Sequence, residues 1–286
     1  MGVRAGGVKG QEKRDLSSRV LGSGDRLASG LAVAALSLLA GFISLPMVSL
    51  ILWTVNENAW RAMASPAARE ALLLSVRTTS ISLVIIILVG TPAAYVLARA
   101  EFPGKRVVDT LIDVPAVLPP SAAGIALLLA FGRLGLVGEY LHAFGITVSF
   151  TTAAVVIAEV FVAAHFYVRQ AVVGFAQVRR DVEEAAMVDG ASRFSVFIRV
   201  TVPLAFPALV AGAVMAWARA LGEFGGTIIF AGSFPGVTQT IPLAIFAEFH
   251  SDIDAAVALS VLVLGFAFAV ILTVRYLTAR SAAHEA

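Results

Sequence analysis

The sequence predicts an all-α polytopic membrane protein with six transmembrane helices and both termini in the cytoplasm. Three observations lead there. Of its 286 residues, 59% are apolar and 14% charged, against about half and about a quarter in an ordinary soluble domain. With a mean hydropathy of +0.89, charge is too scarce to coat a soluble surface, so lipid must cover much of it. Next, six apolar runs approach the ~20 residues of helix that cross a bilayer core of ~30 Å. Finally, the basic residues alternate between connections: sixteen Lys and Arg fall in one set and four in the other. Positively charged loops stay cytoplasmic, which places both ends of the chain inside. The net charge of +2 is small and there is no cysteine, so a disulfide framework and a thiolate metal site are excluded.

Residues 1–30 read as a polar, glycine-containing cytoplasmic tail, and 31–54 as the first transmembrane helix. Its apolar run is longer than that of a signal peptide and lacks a small-residue cleavage pattern, so it is expected to be retained. The second span, 71–97, carries Arg77; the third, 114–131, is uncharged but holds Pro115, Pro119 and Pro120. These prolines remove backbone donors and predict a broken or late-starting helix. Non-helical backbone at that depth must face protein or a water-filled cavity. The fourth span, 150–168, contains Glu159 and His165, and the fifth, 202–221, contains Arg219. Residues 222–254 are too apolar for a solvated loop and too rich in Gly and Pro for one helix. They read either as a re-entrant or outer-surface element followed by an interfacial helix capped by the Thr240 hydroxyl, or as an irregular packed connection. The last span is 255–274, and 277–286 form a short cytoplasmic tail. Trp53, Trp60 and Tyr140 at outer boundaries and Tyr95, Tyr167 and Tyr276 at inner ones fit an aromatic belt.

Charges inside spans are candidates for function or for pairing. Arg219 and Glu223 are four apart on one helix face, which favours a structural pair over an anion-attracting arginine. Arg77 could pair with Glu159. Ala208, Gly212, Ala216 and Ala220 recur every fourth residue, a stripe that favours close helix packing over pore lining. His250, Asp252 and Asp254 make a weak metal set, and either aspartate more simply caps the last span. Gly225 and Gly226 read as a gate hinge or as a tight turn.

The most informative segment is the cytoplasmic loop 179–203 between the fourth and fifth spans. Asp181 followed by Glu184 has the form of a capping box, and Gly190 is a natural left-handed stop, so a short isolated helix is expected. Ser192 can cap a second helix that runs on past Pro203. Glu184-Ala185-Ala186, Gly190 and Val202-Pro203 stand at the spacing of the EAA loop, and the chain from about residue 71 to residue 276 resembles the permeases of type I, binding-protein-dependent ABC importers. Val200 and Val202 replace the pattern's Ile and Leu. Asp113 to Gly124 looks like a third-span entry shared by sulfate and molybdate permeases, and Arg219 to Gly225 is similar to both groups. The continuation Phe230 to Thr240 looks more like molybdate and tungstate permeases.

That resemblance implies a homodimer, two cytoplasmic ABC ATPase subunits and an external anion-binding protein delivering molybdate or tungstate, with sulfate or thiosulfate as the alternative cargo. It implies that Glu184, Ala185, Ala186 and Gly190 couple to the ATPase, and it makes Gly222, Glu223, Gly225, Gly226 and Thr227 candidates for the path or gate. The chain has no GxxxxGK[ST] phosphate loop, since Gly104-Lys105 is followed by Arg106. ATP and Mg are therefore expected on the partner, with no cofactor and no enzyme activity here. A secondary anion transporter would predict inverted repeats and midplane carboxylates. No such repeat is visible, and no basic pattern suggests nucleic acid. The resemblance also implies a prokaryotic cytoplasmic membrane.

Overall fold

The computed structural model describes residues 8–54 and 57–284, and every regular element among them is helical. The chain divides into two units, Met1–Val55 and Asn56–Ala286. In the first, α1 (Val8–Trp53) is a 46-residue helix with Pro46 inside it, and Ala28–Trp53 is long and apolar enough to cross a membrane. The expected tail is thus helical from Val8 onward, and residues 1–7 lie outside the described residues.

The second unit begins with α2 (Glu57–Met63) and the long α3 (Pro66–Arg99), which is opened by Ser65 accepting the Ala68 N–H and by Pro66 in its first turn. A proline is tolerated there because that N–H has no helical partner. Then come α4 (Lys105–Val117), α5 (Pro120–Phe131) and α6 (Gly138–Ala143). Thr151 caps α7 (Thr152–Gln177) by accepting the Ala154 N–H. α8 (Arg180–Val188) and α9 (Arg193–Val196) follow, and α9 runs through a π-helical turn, Phe197–Thr201, into α10 (Val202–Leu221). The unit ends with α11 (Gly225–Phe230), α12 (Ile241–Phe249) and α13 (Ile253–His284).

The core forms where α3, α7 and α10 meet, through Ile86, Ala94, Ala163, Ala171, Phe175 and Ala216. Lipid is as apolar as these side chains, so close contact and hydrogen bonds hold the helices together rather than escape from water. Small residues permit the contact: a Cβ on Gly174 would lie 2.5 Å from Ala208 Cβ, and one on Gly212 would lie 3.0 Å from Gln170 Cβ. The alanine and glycine stripe of the fifth span is a packing surface, as expected.

The third span is broken. α4 and α5 pass as one span only as a pair bent by 118° at Leu118-Pro119, and the 12 residues of α5 reach ~18 Å, short of a bilayer core. Among the described residues five helical segments are long and apolar enough to cross, so the count of six requires the bent pair to be one span. Arg169, expected in a cytoplasmic loop, belongs to α7, which runs nine residues beyond the expected end. It fixes α4 by donating from Nε and Nη2 to Asp113 (2.6 and 2.8 Å) and from Nη1 to Asp109 (2.8 Å).

Residues 222–254 fold as α11, a non-helical stretch and α12. Thr240 does stand at the start of α12, but its hydroxyl has no partner. Ser75 of α3 instead accepts the Ile241 N–H at 2.8 Å, so the cap comes from a neighbouring helix. Asp252 caps α13 by accepting the N–H groups of Asp254 and Ala255. The aromatic belt needs a correction as well. Trp53, Trp60, Tyr140 and Tyr276 are exposed, whereas Tyr167 is buried with its hydroxyl 2.6 Å from Thr91 Oγ1. Tyr95 packs edge-on against Phe175 and Phe197.

Candidate functional site: the α8 loop and the α10–α11 turn

The loop helix α8 begins at Arg180, one residue before the expected Asp181. Both oxygens of Asp181 are taken by Arg179 across two residues, so the capping box with Glu184 does not form. The Arg179 guanidinium holds the Asp181 carboxyl below the usual carboxylate range. The other end is as expected. Gly190 has φ +91°, and the Ala191 and Gly190 N–H groups return to the Ala186 and Met187 carbonyls at 3.1 and 3.0 Å. This closes the helix in a Schellman turn that favours glycine. Ser192 caps α9 by accepting the Ser195 N–H.

Burial divides the loop in a way the pattern did not show. The one buried residue of α8 is Glu183, while Glu184, Ala185, Val182 and Val188 stand exposed. Glu183 Oε2 lies 3.1 Å from Arg99 Nη2, at the end of α3, and Oε1 accepts the Thr201 hydroxyl at 2.6 Å. The same Arg99 nitrogen donates to the Val178 carbonyl at 2.8 Å. By its place in the chain Glu183 is simply an acidic residue in the first turn of α8. Its partners lie 18 residues ahead and at the far end of another span, beyond the reach of any local pattern.

The second cluster sits where α10 turns into α11. Arg219 Nη2 and Glu223 Oε2 are 2.8 Å apart, which makes the expected structural pair, and Glu223 Oε1 accepts the Gly226 N–H at 2.8 Å. Gly222 ends α10. Gly225 and Gly226 are helical, and what they provide is proximity: a Cβ on Gly225 would lie 2.4 Å from Pro120 Cβ. Gly124 likewise faces the Gly226 carbonyl at 2.9 Å from its would-be Cβ. Thr227 is fully buried and its hydroxyl has no partner. Glu223, Gly225, Gly226 and Thr227 are therefore brought together against α5.

Arg77 and Glu159 do not pair. Glu159 is buried and accepts the hydroxyls of Thr78 (2.8 Å) and Ser82 (2.6 Å) from α3. Arg77 instead lines an open cavity of ~370 Å³ with Glu70, Leu73, Leu74 and Gly236. The two residues next to each other in sequence, Arg77 and Thr78, point to different sides of α3, because successive helical residues are rotated by about 100°. Among the described residues, no group of His, Asp and Glu could hold a metal ion, and Asp252 is occupied as a cap.

Residues 86–282 match the family described as binding-protein-dependent transport system inner membrane component. The chain belongs to that family. Among its relatives is the molybdenum transport system permease protein ModB of Mycobacterium tuberculosis, 46% identical over 82% of this chain and 88% of the relative. A probable sulfate transport system permease protein of Chlorokybus atmophyticus is 32% identical over 85% of this chain and 86% of its own. In fold, the chain is similar to a crystal structure of a bacterial ABC transporter involved in import of the acidic polysaccharide alginate. That likeness has a TM-score of 0.70 at 16% identity and covers 92% of this chain and 99% of the other. The chain is thus a multi-pass transport subunit and not an enzyme, as the sequence implied.

Proposed function

We propose that this chain is the membrane-spanning subunit of an ATP-driven oxyanion importer for molybdate or tungstate, working as a homodimer with two ATPase subunits inside and an anion-binding protein outside. The observation that carries the coupling role is α8. It is a nine-residue helix outside the spans that turns Glu184, Ala185 and Val188 outward, a small-sided face on which a partner's groove can close. Glu184, Ala185 and Ala186 form the docking surface and Gly190 ends it. ATP and Mg bind on the partner, whose approach draws the two α8 helices together and opens the path outward. The turn from Gly222 to Thr227, held by Glu223 against α5, lines the path or gate.

The molybdate assignment is supported by the 46% identity to a molybdenum permease, higher than the 32% to a sulfate one. The test is to reconstitute the chain with its ATPase and anion-binding protein and measure ATPase stimulation with molybdate, tungstate or sulfate bound. Stimulation by molybdate or tungstate is expected; stimulation by sulfate alone refutes the cargo. Gly190→Pro, which breaks the turn closing α8, is expected to abolish ATP-driven uptake.

A further inference from the structure

We propose that Glu183 is a positioning residue: a strut that joins α8 to the inner ends of α3 and α10, so that movement imposed on α8 is passed to the spans rather than absorbed by the loop. This rests on the reading that α8 docks on the ATPase subunit, and it concerns the opposite face of the helix.

The argument starts from cost. A carboxylate at the edge of a membrane protein is best left in water, and every other side chain in the first turn of α8 is exposed. Glu183 is only 8% exposed. It has turned inward onto an ion pair with the Arg99 guanidinium at 3.1 Å and a hydrogen bond from the Thr201 hydroxyl at 2.6 Å. Thr201 is fully buried and stands in the π-helical turn immediately before α10. Arg99 is the last residue of α3 and also holds the Val178 carbonyl that ends α7. One carboxylate therefore meets, directly or through one guanidinium, the inner ends of three spanning helices.

An apolar residue would anchor α8 at least as well, since buried ion pairs are often no more stabilising than well-packed hydrophobic groups of the same volume. What an apolar contact lacks is direction. A greasy contact lets a helix slide or roll, whereas a hydrogen bond to one fixed element together with an ion pair to another resists both. The chain changes direction on both sides of α8. The helix is entered at Arg179 in extended conformation and left through the positive-φ Gly190, so without Glu183 a push on α8 would be taken up at these two swivels. The π-helical turn adds a second point: its wide ring places the Thr201 hydroxyl near both Glu183 and the Val196 carbonyl, and π-turns often sit at functional positions in helices. Packed side chains and ion-pair networks of this kind carry energetic coupling between the site of a push and the element that moves.

The test uses the full permease–ATPase complex with its anion-binding protein in proteoliposomes, comparing wild type, Glu183→Ala, Glu183→Gln, Thr201→Val and the exchanged pair Arg99→Glu with Glu183→Arg. Four quantities are read: recovery of the ATPase, basal ATP hydrolysis, its stimulation by loaded binding protein, and anion taken up per ATP hydrolysed. Glu183→Ala and Thr201→Val are expected to retain the ATPase and its basal rate while uptake per ATP falls by on the order of tenfold. Glu183→Gln, which keeps the Thr201 hydrogen bond, is expected to lie between, and the exchanged pair to recover part of the loss. Unchanged uptake per ATP in Glu183→Ala overturns the strut. So does a loss of basal hydrolysis in proportion to uptake across all variants, which would make Glu183 a plain folding or docking residue. If the wild-type chain itself captures no ATPase, the docking reading fails instead, a result distinct from both.

Discussion

The guanidinium of Arg219 and the carboxylate of Glu223 meet at 2.8 Å one turn apart, and the second oxygen of Glu223 holds the first turn of α11 through the Gly226 N–H. One side chain thus ends one helix and begins the next. Glu223→Ala removes both contacts, leaving the half-buried Arg219 guanidinium and the buried Gly226 N–H without this partner. A loss of about 2 kcal/mol is expected. Glu223→Gln keeps an acceptor for Gly226 and should lose about half of that. Denaturation midpoints of the purified complex in detergent check both; equal midpoints for Ala and Gln would show that the α11 contact contributes nothing.

A β-carbon on Gly225 has no room, with Pro120 Cβ at 2.4 Å, whereas Gly265 has nothing within 4 Å. Gly225→Ala is expected to push α11 off α5 and to cost about 1–3 kcal/mol. Gly265→Ala lies in the open on α13 and should be neutral or gain up to about 1 kcal/mol from helix propensity. Thermal stability and uptake of the two variants, side by side, separate the effect of space from that of substitution itself.

Glu159 is expected to be a pin between α3 and α7. Thr78→Val and Ser82→Ala each remove one hydrogen bond to it at about 1 kcal/mol apiece. Glu159→Gln, which still accepts from one hydroxyl, should fold and transport, while Glu159→Lys should not accumulate in the membrane. Membrane yield of the folded variants is the measurement, and normal accumulation of the lysine variant would contradict the burial of this site.

Arg169 grips α4 with three of its donors on two aspartates. A lysine is a point charge without the planar fork and cannot reproduce this grip. In Arg169→Lys, amide hydrogen exchange is expected to rise across 105–117 with little change in α7. α4 buries none of its own residues and meets the core through the half-buried Ile112, so loss of this grip is expected to loosen it.

The span limits were legible because a membrane imposes a length and an apolar composition that no soluble surface shares. The runs 31–53 and 255–274 correspond to the apolar parts of α1 and α13. Punctuation was legible where one residue suffices, as with Gly190 at φ +91°, Ser192 as a cap and the prolines at the α4–α5 break. Even the Arg219–Glu223 pair followed from a spacing of four. Caps supplied from elsewhere were not legible: Ser75 reaches Ile241 across 166 residues, and nothing local at Thr240 announces it.

The sequence by itself determined the solvent, the helical class and the family, since each of these is written in composition or in spacing along the chain. Only the tertiary structure decided what each buried charge does. Glu159 turned to two hydroxyls instead of Arg77, and of two adjacent glutamates Glu183 turned inward while Glu184 stayed out. The physical reason is that in a low-dielectric interior a charge is governed by whichever donors the folded helices bring within about 3 Å, and those donors come from distant parts of the chain.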